Sequence, residues 1–127
     1  IRLWGVDTPE TVKPNTPRQH FGPEATEFTK RFCTGKTVRI ELAEDYTTRG
    51  KYGRLLAYVR AGPEGACLNS ELIKLGYGYA DPRFGHPRKS EFRDLQRAAR
   101  QNGSGLWARA RDSDLPYYYQ DKIPLGR

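Results

Sequence analysis

Residues 1–11 read Ile1-Arg2-Leu3-Trp4-Gly5-Val6-Asp7-Thr8-Pro9-Glu10-Thr11. The run from Ile1 to Val6 is β-prone. In Asp7-Thr8-Pro9-Glu10, which follows, proline cannot continue a hydrogen-bonded ladder and pushes the residue before it toward extended backbone. The expectation is a strand that delivers two acidic side chains to a turn.

The polar stretch from Thr11 to Phe21, with Pro14, Asn15 and Pro17, reads as an exposed loop beside that turn. Gly22-Pro23-Glu24 then opens a helix, with proline at its first position, a carboxylate in its first turn, and Ala25, Phe28 and Phe32 on one face. Val38, Ile40 and Leu42 alternate with Arg39 and Glu41, the period of a strand with one buried side. After the turn-like Thr47-Thr48-Arg49-Gly50, a second strand is expected from Tyr52 to Arg60, ended by Gly62-Pro63-Glu64-Gly65. Asn69 is placed to cap a short helix, Ser70 to Leu75, stopped by Gly76, and Tyr77 to Ala80 is again β-prone. Arg88 to Gln101 reads as a longer helix with an apolar stripe of Phe92, Leu95 and Ala99 and a basic stripe of Arg93, Arg97 and Arg100. Asn102-Gly103-Ser104-Gly105 ends it, and Leu106-Trp107 supplies an apolar anchor. In the aperiodic tail, Tyr117-Tyr118-Tyr119 suits docking on the protein's own surface or a neighbouring molecule more than stacking on bases.

A chain of 127 residues accommodates one core. Its 22 Lys and Arg against 15 Asp and Glu give a net charge of +7, which favours polyanionic partners. Met is absent and the chain opens on a strand-like segment, so removal of an upstream segment is expected. No stretch has the length and apolarity of a transmembrane helix, so a soluble protein without membrane partners is expected. Cys33 and Cys67 suit one disulfide or two buried thiols equally, and His20 and His86, lacking ligand spacing, read as surface or loop residues rather than zinc ligands.

Phosphodiester hydrolysis needs charge neutralisation at phosphate, a base for water, and stabilisation of charge growing on phosphoryl oxygens. Arg2, Asp7 and Glu10 share one strand and its turn, and Arg54 stands in Lys51-Tyr52-Gly53-Arg54-Leu55-Leu56-Ala57-Tyr58. Guanidinium groups on strands make rigid bidentate phosphate clamps. Taken singly, the same residues suit surface positions, turn caps or ion pairs.

Together they resemble the staphylococcal nuclease (thermonuclease) family. Arg2 followed by Val6-Asp7-Thr8-Pro9-Glu10-Thr11 is similar to that family's arginine strand and acidic turn. Phe21 to Ala25 with Phe28-Thr29-Lys30 resembles its first helix, Lys51 to Tyr58 its second arginine strand, and Arg88 to Glu91 with Leu106-Trp107 its last helix and anchor. The resemblance implies a mainly β chain with helices (α+β): an OB-fold barrel of five strands with three helices, its first two strands lying before residue 1. It implies a nuclease domain over residues 1–108 and an extension of unassigned role over 109–127. By the same resemblance, Arg2 and Arg54 clamp the scissile phosphate, and Glu10 activates water. Asp7 and the Thr8 carbonyl ligate calcium, and Lys51 and Tyr52 hold a terminal phosphate. Phe84 joins Tyr52 in favouring single-stranded DNA or RNA, and hydrolysis leaves a 3′-phosphate and a 5′-hydroxyl. Family enzymes are commonly exported, so a secreted or periplasmic location is favoured.

The family carries another metal-ligating aspartate in the strands that precede this segment. Without those strands the 127 residues are not expected to close a barrel, and an upstream hairpin or another chain must supply them. Asp7 and one carbonyl also fall short of the six to eight oxygens calcium takes. The rival readings are a non-catalytic OB module that binds single-stranded nucleic acid, and an interaction domain whose basic surface is incidental.

Overall fold

A computed structural model describes residues 2–9, 20–42, 56–83 and 85–119, with Arg2 and Asp112 described by their backbone alone. In chain order the elements are β1 (Arg2–Leu3), β2 (Val6–Asp7), α1 (Gly22–Cys33), β3 (Val38–Glu41), β4 (Leu56–Ala61), β5 (Ala66–Cys67), α2 (Leu68–Lys74), β6 (Tyr79–Ala80) and α3 (Lys89–Asn102), followed by short 3-10 turns at Gly105–Ala108 and Asp112–Asp114. The loop over most of 11–21 and the turn at 47–50 fall outside the described residues, as do the first four positions of the strand expected from Tyr52.

Strand β4 is central. It pairs parallel with β1, placing Arg2 opposite Leu56, and antiparallel with β3 and β5. Ala57, Tyr58 and Val59 are buried in succession, as a strand covered on both faces requires. Strands β2 and β6 form a separate antiparallel pair with Asp7 opposite Tyr79. Among the described residues the result is an α+β arrangement of two small sheets with three helices, the fold class expected.

The strand expected from Ile1 to Val6 is broken at Trp4-Gly5. Trp4 N–H still donates to the Ala57 carbonyl (2.9 Å), but Gly5 adopts φ 77°, and a Cβ there would stand 2.4 Å from the His86 ring. Only glycine combines that backbone with that approach. The break redirects the chain, so that Val6 and Asp7 leave β4 and pair with β6.

The short helix begins earlier than expected, because Asn69 is not its cap but a fully buried residue within α2. Its side-chain amide donates to the carbonyls of Trp4 (2.9 Å) and Ala57 (3.1 Å), and its oxygen accepts from Val59 N–H (2.9 Å). One carboxamide therefore ties α2 to β4 and to the end of β1. Leu68, Leu72 and Ile73 of α2 join Trp4, Val6, Tyr58, Val59, Cys67, Ala80 and Phe92 in the main core. Each fully buried large side chain there contributes about 1.5–3 kcal/mol. Phe28 of α1 stacks on Tyr77 with centroids 4.6 Å apart, as the expected helix face requires.

The expected one-sided burial of β3 does not hold. Val38 and Ile40 are 40% and 41% exposed, because among the described residues β3 has only β4 as a hydrogen-bonded neighbour and no element covers its apolar side. His86 departs from expectation too: it lies in a loop but is buried against Trp4, Tyr58 and Phe92, because its ring fills the space opposite Gly5. Cys33 and Cys67 are free thiols. No helix among the described residues is long and apolar enough to cross a membrane.

A second cluster joins Tyr79, Ala99, Leu106, Trp107 and Leu115. Gly76 and Gly105 let it form: a Cβ on Gly76 would lie 2.1 Å from the Ser104 carbonyl oxygen, and Leu106 N–H donates to the Gly76 carbonyl (2.8 Å). Leu115 and Tyr118 are buried, and the Tyr119 hydroxyl donates to the Ala80 carbonyl, so residues 115–119 lie against β6.

Asn69→Ala removes all three buried hydrogen bonds and takes from Val59 N–H its side-chain acceptor, at a cost of about 2–4 kcal/mol. The urea midpoint of the variant should fall accordingly, and a midpoint equal to that of the parent would contradict this role.

Candidate active site

Asp7 closes β2, and Thr8 and Pro9 carry the chain away from the sheet, Asp7 and Thr8 half-buried and Pro9 buried. Opposite them Gly78 approaches so closely that a Cβ would meet Val6 Cγ2 at 2.9 Å and Thr8 Cγ2 at 3.3 Å. Packing thus fixes the acidic turn against the strand leading into β6.

Two groups meet the Asp7 carboxylate on the same oxygen. The Tyr118 hydroxyl donates to Oδ2 at 2.6 Å, and Arg83 Nη2 lies 3.9 Å from that atom. Arg83 is itself held by Asp81: Nε donates to Oδ1 (2.9 Å) and Nη2 to Oδ2 (2.7 Å), while the Arg83 backbone N–H closes an Asx-type turn on Oδ1 (3.0 Å). That hydrogen-bonded pair raises the Arg83 pKa further above its already high ordinary value. The guanidinium also lies over the rings of Tyr118 (4.4 Å) and Tyr117 (5.9 Å), an attraction strengthened where water is excluded. Burial, and then the charge of Asp7, push the Tyr118 phenol well above the usual range. Its hydroxyl stays a donor.

Of the residues singled out in the sequence, Asp7 and Thr8 stand in this corner, and Arg2 stands in β1, one element away along the chain. Glu10, Lys51, Tyr52, Arg54 and Phe84 lie outside the described residues. Asp81, Arg83 and the Asp7 contact of Tyr118 were not foreseen. Asp81-Pro82-Arg83 carried a local signal, an aspartate two residues before an arginine across a proline, whereas nothing local marks a contact between residues 111 positions apart.

The donors here are hard oxygens, a carboxylate and a main-chain carbonyl, of the type calcium takes. Among the described residues, no three His, Cys, Asp or Glu side chains gather to hold a metal, and Asp81 is committed to Arg83. The donor type fits calcium, while most of its coordination shell has to come from elsewhere.

The family model described as staphylococcal nuclease homologue matches residues 1–109. The chain belongs to the staphylococcal nuclease family. It is 41% identical over 111 residues to a thermonuclease of Staphylococcus hyicus, covering 85% of this chain and 62% of that protein. To a thermonuclease of Staphylococcus intermedius it is 43% identical over 113 residues, covering 86% and 63%. An uncharacterized protein of Methanocaldococcus jannaschii is 33% identical over 124 residues, covering 84% and 60%. The chain thus spans somewhat under two thirds of the length of these relatives. The family match includes Asp7, Asp81 and Arg83 and stops short of Tyr117 to Tyr119.

A second polar group, around His86, is structural. The Tyr58 hydroxyl and His86 Nδ1 are 2.7 Å apart, and the same hydroxyl accepts from Arg88 N–H (3.1 Å). Burial lowers the His86 pKa and pushes Tyr58 up to about 12. Arg88 reaches Cys67 Sγ (3.0 Å) and pairs with Glu91.

Burial also raises the phenol pKa values of Tyr79 and Tyr119. For all four raised phenols the fold favours the protonated form. Their contribution to stability is therefore complete below the ordinary phenol value of ~10 and is lost as pH rises through the folded-state values. Phenolate absorbance should show Tyr58, Tyr79, Tyr118 and Tyr119 ionising above the ordinary phenol value of ~10 and together with alkaline unfolding. A single transition of all tyrosines near the ordinary value would contradict this burial.

Proposed function

We propose that this chain belongs to a calcium-assisted nuclease that hydrolyses phosphodiester bonds of DNA or RNA, preferring single strands. The observation that carries the reading is the Asp7 carboxylate at the end of β2, held from one side by Tyr118 and Arg83, within the Val6-Asp7-Thr8-Pro9-Glu10-Thr11 motif of a family member. The names of the staphylococcal relatives support nuclease chemistry, and the net charge of +7 supports a polyanionic substrate.

In this reading Asp7 and the Thr8 carbonyl hold the cation, and residues 1–108 form the nuclease domain, with 109–127 as its extension. Calcium held there would supply Lewis-acid polarisation of a phosphoryl oxygen. Glu10 takes a proton from the attacking water as the new P–O bond forms. Arg2 and Arg54 neutralise the charge that grows on the non-bridging oxygens. The bond to the 5′ oxygen breaks, that oxygen takes up a proton, and a 3′-phosphate and a 5′-hydroxyl result. Lys51 and Tyr52 hold a terminal phosphate, and Phe84 with Tyr52 offers rings to unpaired bases, which favours single strands.

Glu10→Gln removes the base and leaves the phosphate-binding cations in place. In the natural full-length protein its turnover on single-stranded DNA should fall about 10²–10⁴-fold. Its affinity for the same strand, measured under non-cleaving conditions, should stay close to that of the parent. Unchanged turnover would reject Glu10 as the base.

A further inference from the structure

Tyr118 lies beyond the stretch matched by the family, yet its hydroxyl makes the 2.6 Å hydrogen bond to Asp7. The contact is built into the fold. The Tyr118 ring is buried, Leu115 anchors the segment in the second apolar cluster, and Tyr119 bonds the carbonyl of Ala80 on β6, the strand paired with the strand of Asp7. Arg83 covers the face of the Tyr118 ring while its Nη2 approaches the same carboxylate oxygen. Phenol and guanidinium thus converge on Oδ2, and Oδ1 receives neither of them.

A carboxylate held by one oxygen is restrained in its rotamer, and the oxygen that neither group holds is the one left to take a ligand. Outer partners of this kind orient metal ligands, and their loss characteristically weakens metal affinity by about 10–100-fold. We propose that Tyr118 is a positioning residue that locks the Asp7 carboxylate through Oδ2 and presents Oδ1 as a single-oxygen ligand for a hard divalent cation. The proposal rests on the reading of Asp7 as a cation ligand. It makes the C-terminal tyrosine segment a working part of the site rather than a mere latch.

The test is calcium calorimetry on the natural full-length protein and its Tyr118→Phe and Asp7→Asn variants. Tyr118→Phe keeps the ring and its packing and removes only the hydroxyl. Its calcium dissociation constant should rise roughly tenfold. Asp7→Asn should lose binding. If Tyr118→Phe matches the parent while Asp7→Asn loses calcium, Asp7 remains a ligand and the positioning role falls. If Asp7→Asn binds calcium like the parent, the reading of Asp7 fails and the positioning role fails with it. The unmutated protein gives an independent reading should the Phe variant not fold. The ζ-carbon resonance of Tyr118 should move on calcium saturation, and an unmoved resonance overturns the proposal.

Discussion

The carboxamide of Asn69 is the constraint on which the rest of the molecule depends. It is fully buried and bonds three backbone groups: the carbonyls of Trp4 and Ala57 and the N–H of Val59. Buried peptide groups without partners are costly, so this one side chain fixes how the first strand, the central strand and the second helix meet. Immediately beyond Trp4, Gly5 turns the chain into β2. The position of Asp7 is therefore set by packing two residues upstream as much as by its own contacts.

The charge arrangement around Asp7 is economical. The chain carries a net charge of +7, so a cation bound at this acidic corner, as proposed, would stand among positive charges. Arg83 stands between Asp81 and Asp7, much closer to the former, with its bidentate pair on Asp81 and a distant approach to Asp7 of 3.9 Å. Asp81 is thereby neutralised and Asp7 only partly so. The carboxylate left with charge to spare belongs to the motif shared with the nuclease family.

Elements announced by local signals were legible in the sequence. The first helix spans Gly22–Cys33 as its proline, first-turn acid and Phe28/Phe32 face imply, and the last spans Lys89–Asn102, one residue from the expected bounds. Features that depend on distant partners were not. The unbroken first strand failed because the His86 ring decides what Gly5 must do, and the expected Asn69 cap became a core residue because its partners lie on β1 and β4. Alternation located β3 but said nothing about whether a neighbour covers it. At the candidate site, motif and spacing marked Asp7 and Thr8, while Tyr118 arrived from 111 residues away with no periodicity to betray it.

The central claim is that the Asp7 turn serves cation-assisted attack of water on phosphorus. It is tested most directly by incubating the natural full-length protein with end-labelled single-stranded DNA in calcium, in magnesium and in chelator, and identifying the fragment ends. The account predicts calcium-dependent fragments bearing 3′-phosphate and 5′-hydroxyl groups and none in chelator. Salt-sensitive binding with no cleavage under any of these conditions, or cleavage that persists undiminished in chelator, would contradict it.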